Sequence, residues 1–409
     1  MATGTFRALR HRNFRLFFGG QLISLVGTWM QNIAQSWLVY RLTGSPLLLG
    51  LVGFAGQAPV FFFATVGGAV ADRRARRDVL IATQTTAMLL ALVLAALTLS
   101  GHVRPWHVFA LASTLGVVNA FDIPARQAFV VEMVGKPDMG NAIALNSSMF
   151  NGARILGPSV AGVLVASIGE GWCFAANGVS FLAVIAGLAA MRLPKFEPKP
   201  MSSRPLAHAA EGFRFVARTP PVRAILMLLG VISVMGMPYA VLMPIFADRL
   251  LHAGARGLGI LMGSSGVGAL MGALLLARRD SVQGLGRWIA AAAGSFGVAL
   301  VLFSFSRSLW LSAALLVPVG GSMMMQMAAS NTLVQTMTPD TLRGRVMAVY
   351  AMTFMGMAPL GALLAGAAAQ RIGAPATVAA GGVVSVMGAL VFATLLPSLR
   401  SPSFQPRKW

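Results

Sequence analysis

The residue types that most often carry out catalysis are scarce in this sequence, and their spacing fits no catalytic or metal site. The five histidines fall in loops or at the ends of apolar stretches. The single cysteine, Cys173, allows neither an internal disulfide nor a site built on several thiolates. No H-E-x-x-H, G-x-S-x-G or G-x-x-x-x-G-K-S/T pattern occurs. The sequence therefore predicts no enzyme, no catalytic residue, no metal and no cofactor.

The chemistry that remains is polar recognition inside apolar stretches. Arg154 is the only base in the interior of such a stretch, away from its ends, and a charge in hydrocarbon costs at least ~2.5–3.5 kcal/mol. It should therefore face a cavity, where it meets an anionic or polar group of a substrate, or it ties its helix to a neighbour through carbonyls or Asn119. Amide side chains interrupt other apolar stretches. The predicted substrate cavity consists of Arg154, Gln31, Asn32, Gln57, Asn119, Asn146 and Asn151.

The elements that must position these side chains are membrane-spanning helices. Of the 409 residues, 56% are hydrophobic and only 11% are charged, against about 25% charged residues in a soluble domain. This composition excludes a soluble enzyme. A helix needs ~20 mostly apolar residues to cross the bilayer. Twelve such stretches occur: 14–40, 46–70, 78–100, 105–125, 141–167, 172–192, 222–247, 256–277, 286–306, 308–330, 345–369 and 374–397. The sequence predicts an all-α integral membrane protein, with the first span the least apolar.

The distribution of bases predicts the orientation of these spans. With the N-terminus in the cytoplasm, most of the 32 lysines and arginines fall on the cytoplasmic side. The opposite side receives only Arg41, Arg104, Arg249, Arg256, Arg307 and Arg371. The positive-inside rule therefore places both termini in the cytoplasm. Because the bases are scattered over short loops, nucleic acid is not a predicted partner, and the basic start of the chain carries no predicted signal-peptide cleavage site.

The spans fall into two groups of six. Residues 1–193 are predicted to form an N-terminal bundle, 194–221 a cytoplasmic linker and 222–409 a C-terminal bundle. The linker begins with a proline-rich stretch, and its second part, Ala207–Arg218, is predicted to form a short helix on the membrane surface. Duplicated bundles of this kind are typical of transporters, which bind substrate near the bilayer midplane.

The loop after the second predicted span reads Gly68-Ala-Val-Ala-Asp72-Arg73-Arg74-Ala-Arg76-Arg77. It resembles the loop signature G-x-L-A-D-R-x-G-R-R/K of the major facilitator superfamily, with Val70 and Ala75 as departures. The resemblance implies a twelve-helix fold and a cytoplasmic gate, in which loop charges bind groups at neighbouring helix ends. The implied gate residues are Asp72, Arg73, Arg76, Arg77, Asp122 and Arg126. The alternative interpretation is that the arginines determine topology alone, and that Asp122 and Arg126 form a local ion pair.

A second motif, Ala153-Arg154-Ile-Leu-Gly157-Pro158-Ser-Val-Ala161-Gly162, is similar to the antiporter motif G-x-x-x-G-P-x-x-G-G of the same superfamily. Its small residues Gly157 and Gly162 allow close helix packing, and Pro158 bends the helix. The motif implies export; ordinary packing is the alternative. The stretch from Asp122-Ile-Pro-Ala-Arg126 to Gly157-Pro158 resembles the enterobactin-exporter-like and macrolide-efflux-like branch.

Together these features predict an exporter of a small organic molecule, a siderophore or a drug-like compound, in the bacterial inner membrane. We expect a monomer in the lipid bilayer that draws on proton entry, because no ATP-binding motif is present. Asp122 is the best candidate for the proton-binding group, since burial favours the protonated form of a carboxyl. An importer or uniporter of a small metabolite and a non-transporting receptor remain as alternatives.

Overall fold

The computed structural model describes residues 6–193, 205–279 and 281–396. Within these ranges the chain is helical, with no strand. The linker residues 194–204 lie outside the described ranges, and the second part of the linker is a helix, as predicted. The helices are α1 (Arg12–Thr43), α2 (Pro46–Arg73), α3 (Arg76–Leu99), α4 (Pro105–Gly135), α5 (Pro137–Ile168), α6 (Glu170–Ala189), α7 (Pro205–Arg218), α8 (Pro220–Leu250), α9 (Gly254–Ala277), α10 (Leu285–Phe305), α11 (Leu309–Met337), α12 (Asp340–Ile372) and α13 (Ala374–Leu395).

Eleven helices of the described residues are long and apolar enough to cross a membrane. They are α2 to α6 and α8 to α13. The predicted first span corresponds to α1, which has 32 residues but is interrupted by Gln21, Gln31, Asn32 and Gln35. The protein is therefore an all-α, multi-pass membrane protein, while the predicted count of twelve spans in two six-helix bundles stays a prediction.

Proline and glycine mark many of the helix boundaries. α2, α4, α5, α7 and α8 all begin with proline, whose fixed φ and missing N–H suit the first helical position. Gly135 separates α4 from α5 and has a φ of 70°, a backbone conformation that residues with a Cβ rarely adopt. Because this break comes at Gly135, α4 continues ten residues past the predicted end of the fourth span at 125.

The described residues divide into two compact units. Unit 1 contains residues 6–44, 55–193 and 253–263, and unit 2 contains residues 45–54, 205–252, 264–279 and 281–396. The start of α2 thus belongs to unit 2, and the start of α9 to unit 1. The predicted division of the chain into two domains, residues 1–193 and 222–409, with the linker between them, stays a prediction.

In unit 1, α6 packs against both α1 and α3. The core at one end of this unit contains the buried rings of Phe14, Phe17 and Phe129, with the Phe17 and Phe129 centroids 6.4 Å apart in an edge-to-face arrangement. Burial of large aromatic and aliphatic side chains stabilises this end. It therefore provides a fixed support for the polar residues farther along the same helices.

In unit 2, α10 packs against α11 and α13. The approach of α10 to α13 depends on two glycines, because a Cβ on Gly297 would lie 2.5 Å from the carbonyl oxygen of Gly382. α8 is irregular, with π-helical turns at Ile232–Gly236 and Phe246–Leu250.

Candidate functional site

A cavity of about 340 Å³, whose largely apolar lining includes many polar side chains, lies within unit 1. Its walls come from α1, α3, α4, α5 and α6, and apolar residues such as Leu115, Phe150 and Phe181 line it beside polar ones. Its polar lining is dominated by carboxamides, which both donate and accept hydrogen bonds. These are Gln21, Gln31, Asn32, Gln84, Asn119, Gln127, Asn146 and Asn177. An apolar cavity with convergent polar groups is the usual form of a small-molecule site.

One ion pair, between Asp122 and Arg126 of α4, forms part of the cavity wall. The two residues are one helical turn apart, and Nε of Arg126 donates to Oδ2 of Asp122 at 2.9 Å. The other carboxylate oxygen, Oδ1, accepts hydrogen bonds from Thr83 Oγ1 at 2.8 Å and from Gln84 Nε2 at 2.7 Å. Asp122 is only 3% exposed, so its charge is balanced by these partners rather than by water.

The backbone around this pair is shaped by Pro124. A proline inside a helix cannot donate to the carbonyl four residues earlier, which here belongs to Ala120. Gly67 of α2 approaches this carbonyl so closely that a Cβ on it would lie 2.0 Å from the oxygen. The segment Asp122-Ile-Pro-Ala-Arg126 therefore places its charges beside a point where two helix backbones touch.

A second polar contact joins α1 to α6 at the cavity. Asn177 donates from Nδ2 to Oε1 of Gln31 at 2.7 Å, and Ser180 donates to Oδ1 of Asn177 at 3.1 Å. Gly27 makes room for this contact, since a Cβ there would lie 2.5 Å from Oδ1 of Asn177. The amide pair is buried, and its hydrogen bonds hold the two helices in register.

Four of the predicted cavity residues line this cavity: Gln31, Asn32, Asn119 and Asn146. The other three, Gln57, Asn151 and Arg154, do not. Asn151 donates to the carbonyl of Ser147 on its own helix at 2.9 Å. The Arg154 guanidinium lies over the ring of Trp29, 5.9 Å from its centroid, so its surroundings are those of a helix-to-helix contact. A substrate role for these three residues stays a prediction.

Sequence reasoning missed several lining residues, notably Gln84 and Asn177. Each is a lone amide in a strongly apolar stretch, and this was the signal available: a polar side chain inside a span should face protein or a cavity. Arg126 and Asp122 were predicted as gate residues, and the structure places both in the cavity wall.

Four of the six predicted gate residues form two ion-paired groups in the structure, whereas Arg77 donates to the carbonyl of Ala189 at the end of α6. Arg76, at the start of α3, pairs with Glu132 near the end of α4 and lies 3.6 Å from Asp72. Asp122 and Arg126 instead pair with each other. The acid that the loop arginine reaches on α4 is thus Glu132, which was not among the predicted gate residues.

The antiporter-like motif lies at two close contacts within unit 1. A Cβ on Gly157 would lie 2.4 Å from Cβ of Trp29 on α1, so α5 and α1 touch there. A Cβ on Gly162 would lie 2.8 Å from Cα of Gly259 at the start of α9. Pro158 lies between these two positions inside α5. These contacts require small residues, which is one of the two interpretations of the motif.

Membrane-length helices around a polar cavity define the class of protein: a multi-pass membrane transporter. Within that class the chain belongs to the family described as transmembrane secretion effector, of the major facilitator superfamily, because the family model matches residues 3–409. A solved structure of the nucleoside transporter NupG has the same fold, with a TM-score of 0.74, 13% identity and coverage of 95% of this chain and 99% of that one.

Curated relatives extend over nearly the whole chain. The staphyloferrin A transporter of Staphylococcus aureus is 24% identical, covering 92% of this chain and 95% of its own. The multidrug efflux pump Tap of Mycolicibacterium fortuitum is 28% identical, covering 91% and 93%. The enterobactin exporter EntS of Shigella boydii is 25% identical, covering 97% and 95%. The predicted resemblance to the siderophore and drug exporter branch is confirmed.

Proposed function

We propose that this protein exports a small organic molecule, a siderophore or drug-like compound, from the bacterial cytoplasm across the inner membrane in exchange for protons. The observation that carries the proposal is the cavity of unit 1, whose lining contains both the carboxamides and the Asp122–Arg126 ion pair. The names of the relatives, a siderophore transporter, a siderophore exporter and a multidrug pump, support this substrate range.

The lining suits a polar organic molecule that also has apolar surface. Carboxamides recognise hydroxyl, amide and carboxylate groups without requiring one charge state, because each amide both donates and accepts. Phe150 and Phe181 provide apolar contact in the same cavity. A cavity of about 340 Å³ holds a drug-sized molecule or one arm of a larger one.

Proton coupling is assigned to Asp122. It is the only acid in the cavity lining, and it is held by Arg126, Thr83 and Gln84. A proton on Asp122 would neutralise the charge that holds Arg126, and the guanidinium would then be available to another anion in the cavity. Because proton and substrate both alter this one pair, binding of one changes the affinity for the other.

The proposed topology has twelve spans, with α1 as the first, and both termini in the cytoplasm. α1 carries its polar residues towards the protein, since Gln21 and Gln31 are buried and line the cavity. This removes their cost against lipid. We further propose that Arg76, Asp72 and Glu132 form the cytoplasmic gate, and that the protein functions as a monomer without enzymatic activity.

The proposal is tested in everted membrane vesicles, in which the cytoplasmic face is outside. Vesicles with and without the protein are energised by respiration and given a carboxylate siderophore, a catecholate siderophore or ethidium. Uptake of at least one probe that a protonophore abolishes is expected. Uptake only in right-side-out vesicles would indicate an importer. Uptake that persists in the presence of the protonophore would indicate a uniporter, and binding of the probe without any flux would indicate a receptor.

A further inference from the structure

Three helices of unit 1 meet at one end of the bundle, where α1 and α3 begin and α6 ends. Arg12 donates from Nη1 to the carbonyl of Ala190 at 3.0 Å, and Arg77 donates from Nη2 to the carbonyl of Ala189 at 3.2 Å. The two guanidinium groups therefore bind successive carbonyls at the negative end of the α6 dipole. Two cations bound to successive carbonyls repel each other, and an anion between them would offset this repulsion.

A third base, Arg192, is held at the same place. Asn13 donates from Nδ2 to the carbonyl of Arg192 at 2.8 Å and accepts from its N–H at 3.3 Å. These bonds fix the backbone of Arg192, while its side chain stays exposed. We call Arg12, Arg77 and Arg192 the arginine cluster.

The acids near this end are already paired with other bases. Asp138 pairs with Arg7 and His11, and Glu132 and Asp72 pair with Arg76. Asp78 follows Arg77 on α3, but its side chain forms no ion pair with the cluster. Across residues 6–193, 205–279 and 281–396, no acid pairs with the cluster. In addition, Nε of Arg77 is buried without a hydrogen-bond partner among these residues.

An apolar stripe on α6 leads to the cluster. The exposed residues of this helix recur every three or four positions, which places them on one face. They are Trp172, Ala176, Val179, Leu182, Ala186 and Ala189. Val179 is 60% and Leu182 51% exposed, as expected for side chains that contact acyl chains in a membrane. The stripe reaches Ala189, whose carbonyl Arg77 binds, next to the carbonyl of Ala190 that Arg12 binds.

Unmatched arginines at the end of a lipid-facing stripe have the chemistry of a phospholipid site. We propose that the arginine cluster binds the phosphate of an anionic phospholipid whose acyl chains lie along the exposed face of α6. Guanidinium groups bind phosphate oxygens in a planar, paired geometry, and anionic headgroups attract bases at a membrane surface. The stripe favours a lipid over free phosphate, because inorganic phosphate has no acyl chains that could contact an apolar surface. In the proposed topology this site lies in the inner leaflet.

The test is native mass spectrometry of the purified full-length protein in detergent, titrated with phosphatidylglycerol or phosphatidylcholine. The wild type should retain phosphatidylglycerol in preference to phosphatidylcholine. The triple variant Arg12→Gln, Arg77→Gln, Arg192→Gln should bind phosphatidylglycerol at least tenfold more weakly, since each arginine near an anionic surface contributes about fivefold. The control Arg371→Gln, at the end of α12 in unit 2, should bind it like the wild type.

A second variant protects the result against loss of folding. Asn13 binds the backbone of Arg192 and not its side chain, so Arg192→Gln alone keeps the fold, and we expect about fivefold weaker phosphatidylglycerol binding. Equal retention of the two lipids by the wild type, or unchanged binding in both variants, would overturn the proposal. Displacement of the lipid by excess inorganic phosphate would show that the cluster is a free-phosphate site.

Discussion

Asp122 offers the sharpest test of the cavity geometry, because its carboxylate balances a charge and accepts from two neutral donors at once. Asp122→Asn keeps an oxygen for Thr83 and Gln84 but turns an amide N–H₂ towards Arg126. The arginine then loses its only counter-charge among the cavity-lining residues. Breaking a buried pair by removing one partner costs about 3–5 kcal/mol. Arg126 retains 24% exposure, so we expect the lower end of this range, about 3 kcal/mol.

A double-mutant cycle separates this charge effect from general damage. Asp122→Asn combined with Arg126→Gln leaves two amides one turn apart, which can hydrogen-bond without a buried charge. We expect the double variant to lose less than about 1.5 kcal/mol, so that most of the single-variant loss is recovered as coupling. Reversible unfolding in mixed micelles, with both single variants and the double variant, measures the cycle. Losses that simply add would refute the account of Asp122 and Arg126 as a coupled ion pair.

Three further predictions concern the gate, Arg154 and the helix contact at Gly162. Glu132→Gln removes the acid that pairs with Arg76, so the closed gate should lose about 1 kcal/mol of stabilisation. Export should then fall severalfold at normal membrane abundance of the protein, and unchanged flux would contradict a gate. Arg154→Lys should keep most of the stability, because a cation remains over Trp29, whereas Arg154→Ala should lose about 1 kcal/mol. A changed affinity for substrate with normal stability would place Arg154 in the substrate site instead. Gly162→Val should destabilise the fold by about 1–3 kcal/mol in thermal unfolding, because the Cβ of the new valine meets the α9 backbone. The control Gly152→Val has open space around it and should not destabilise the fold, so equal effects of the two variants would refute the contact.

The sequence was sufficient to predict the membrane-spanning helices, because such spans are determined by local composition. Runs of about 20 apolar residues predicted α2 to α6 and α8 to α13, and Gly and Pro residues set their ends. The end of α4 was predicted too early, since Arg126 and Glu132 interrupt the apolar run although the helix continues to Gly135. Both residues are tolerated there because they are paired within the protein.

The site was only partly predictable, because the orientation of each helix depends on packing against distant residues. Gln31 and Asn177 are far apart in the chain, and only the close approach at Gly27 brings them together. Arg154 was expected either to face the cavity or to tie its helix to a neighbour, because a charge inside a span needs a partner. In the structure its guanidinium lies over an aromatic ring of α1, and sequence alone does not distinguish such a contact from a place in the cavity.

The central claim is that the cavity of unit 1 carries the exported molecule in exchange for protons. Proteoliposomes of the purified protein, with an imposed pH gradient and a probe identified in vesicles, test it most directly. We predict uphill movement of the probe against the proton flow, abolished by Asp122→Asn and weakened by Asn32→Leu, with Gly152→Ala transporting like the wild type. Uphill transport that persists in Asp122→Asn, or that continues without the pH gradient, would contradict the account.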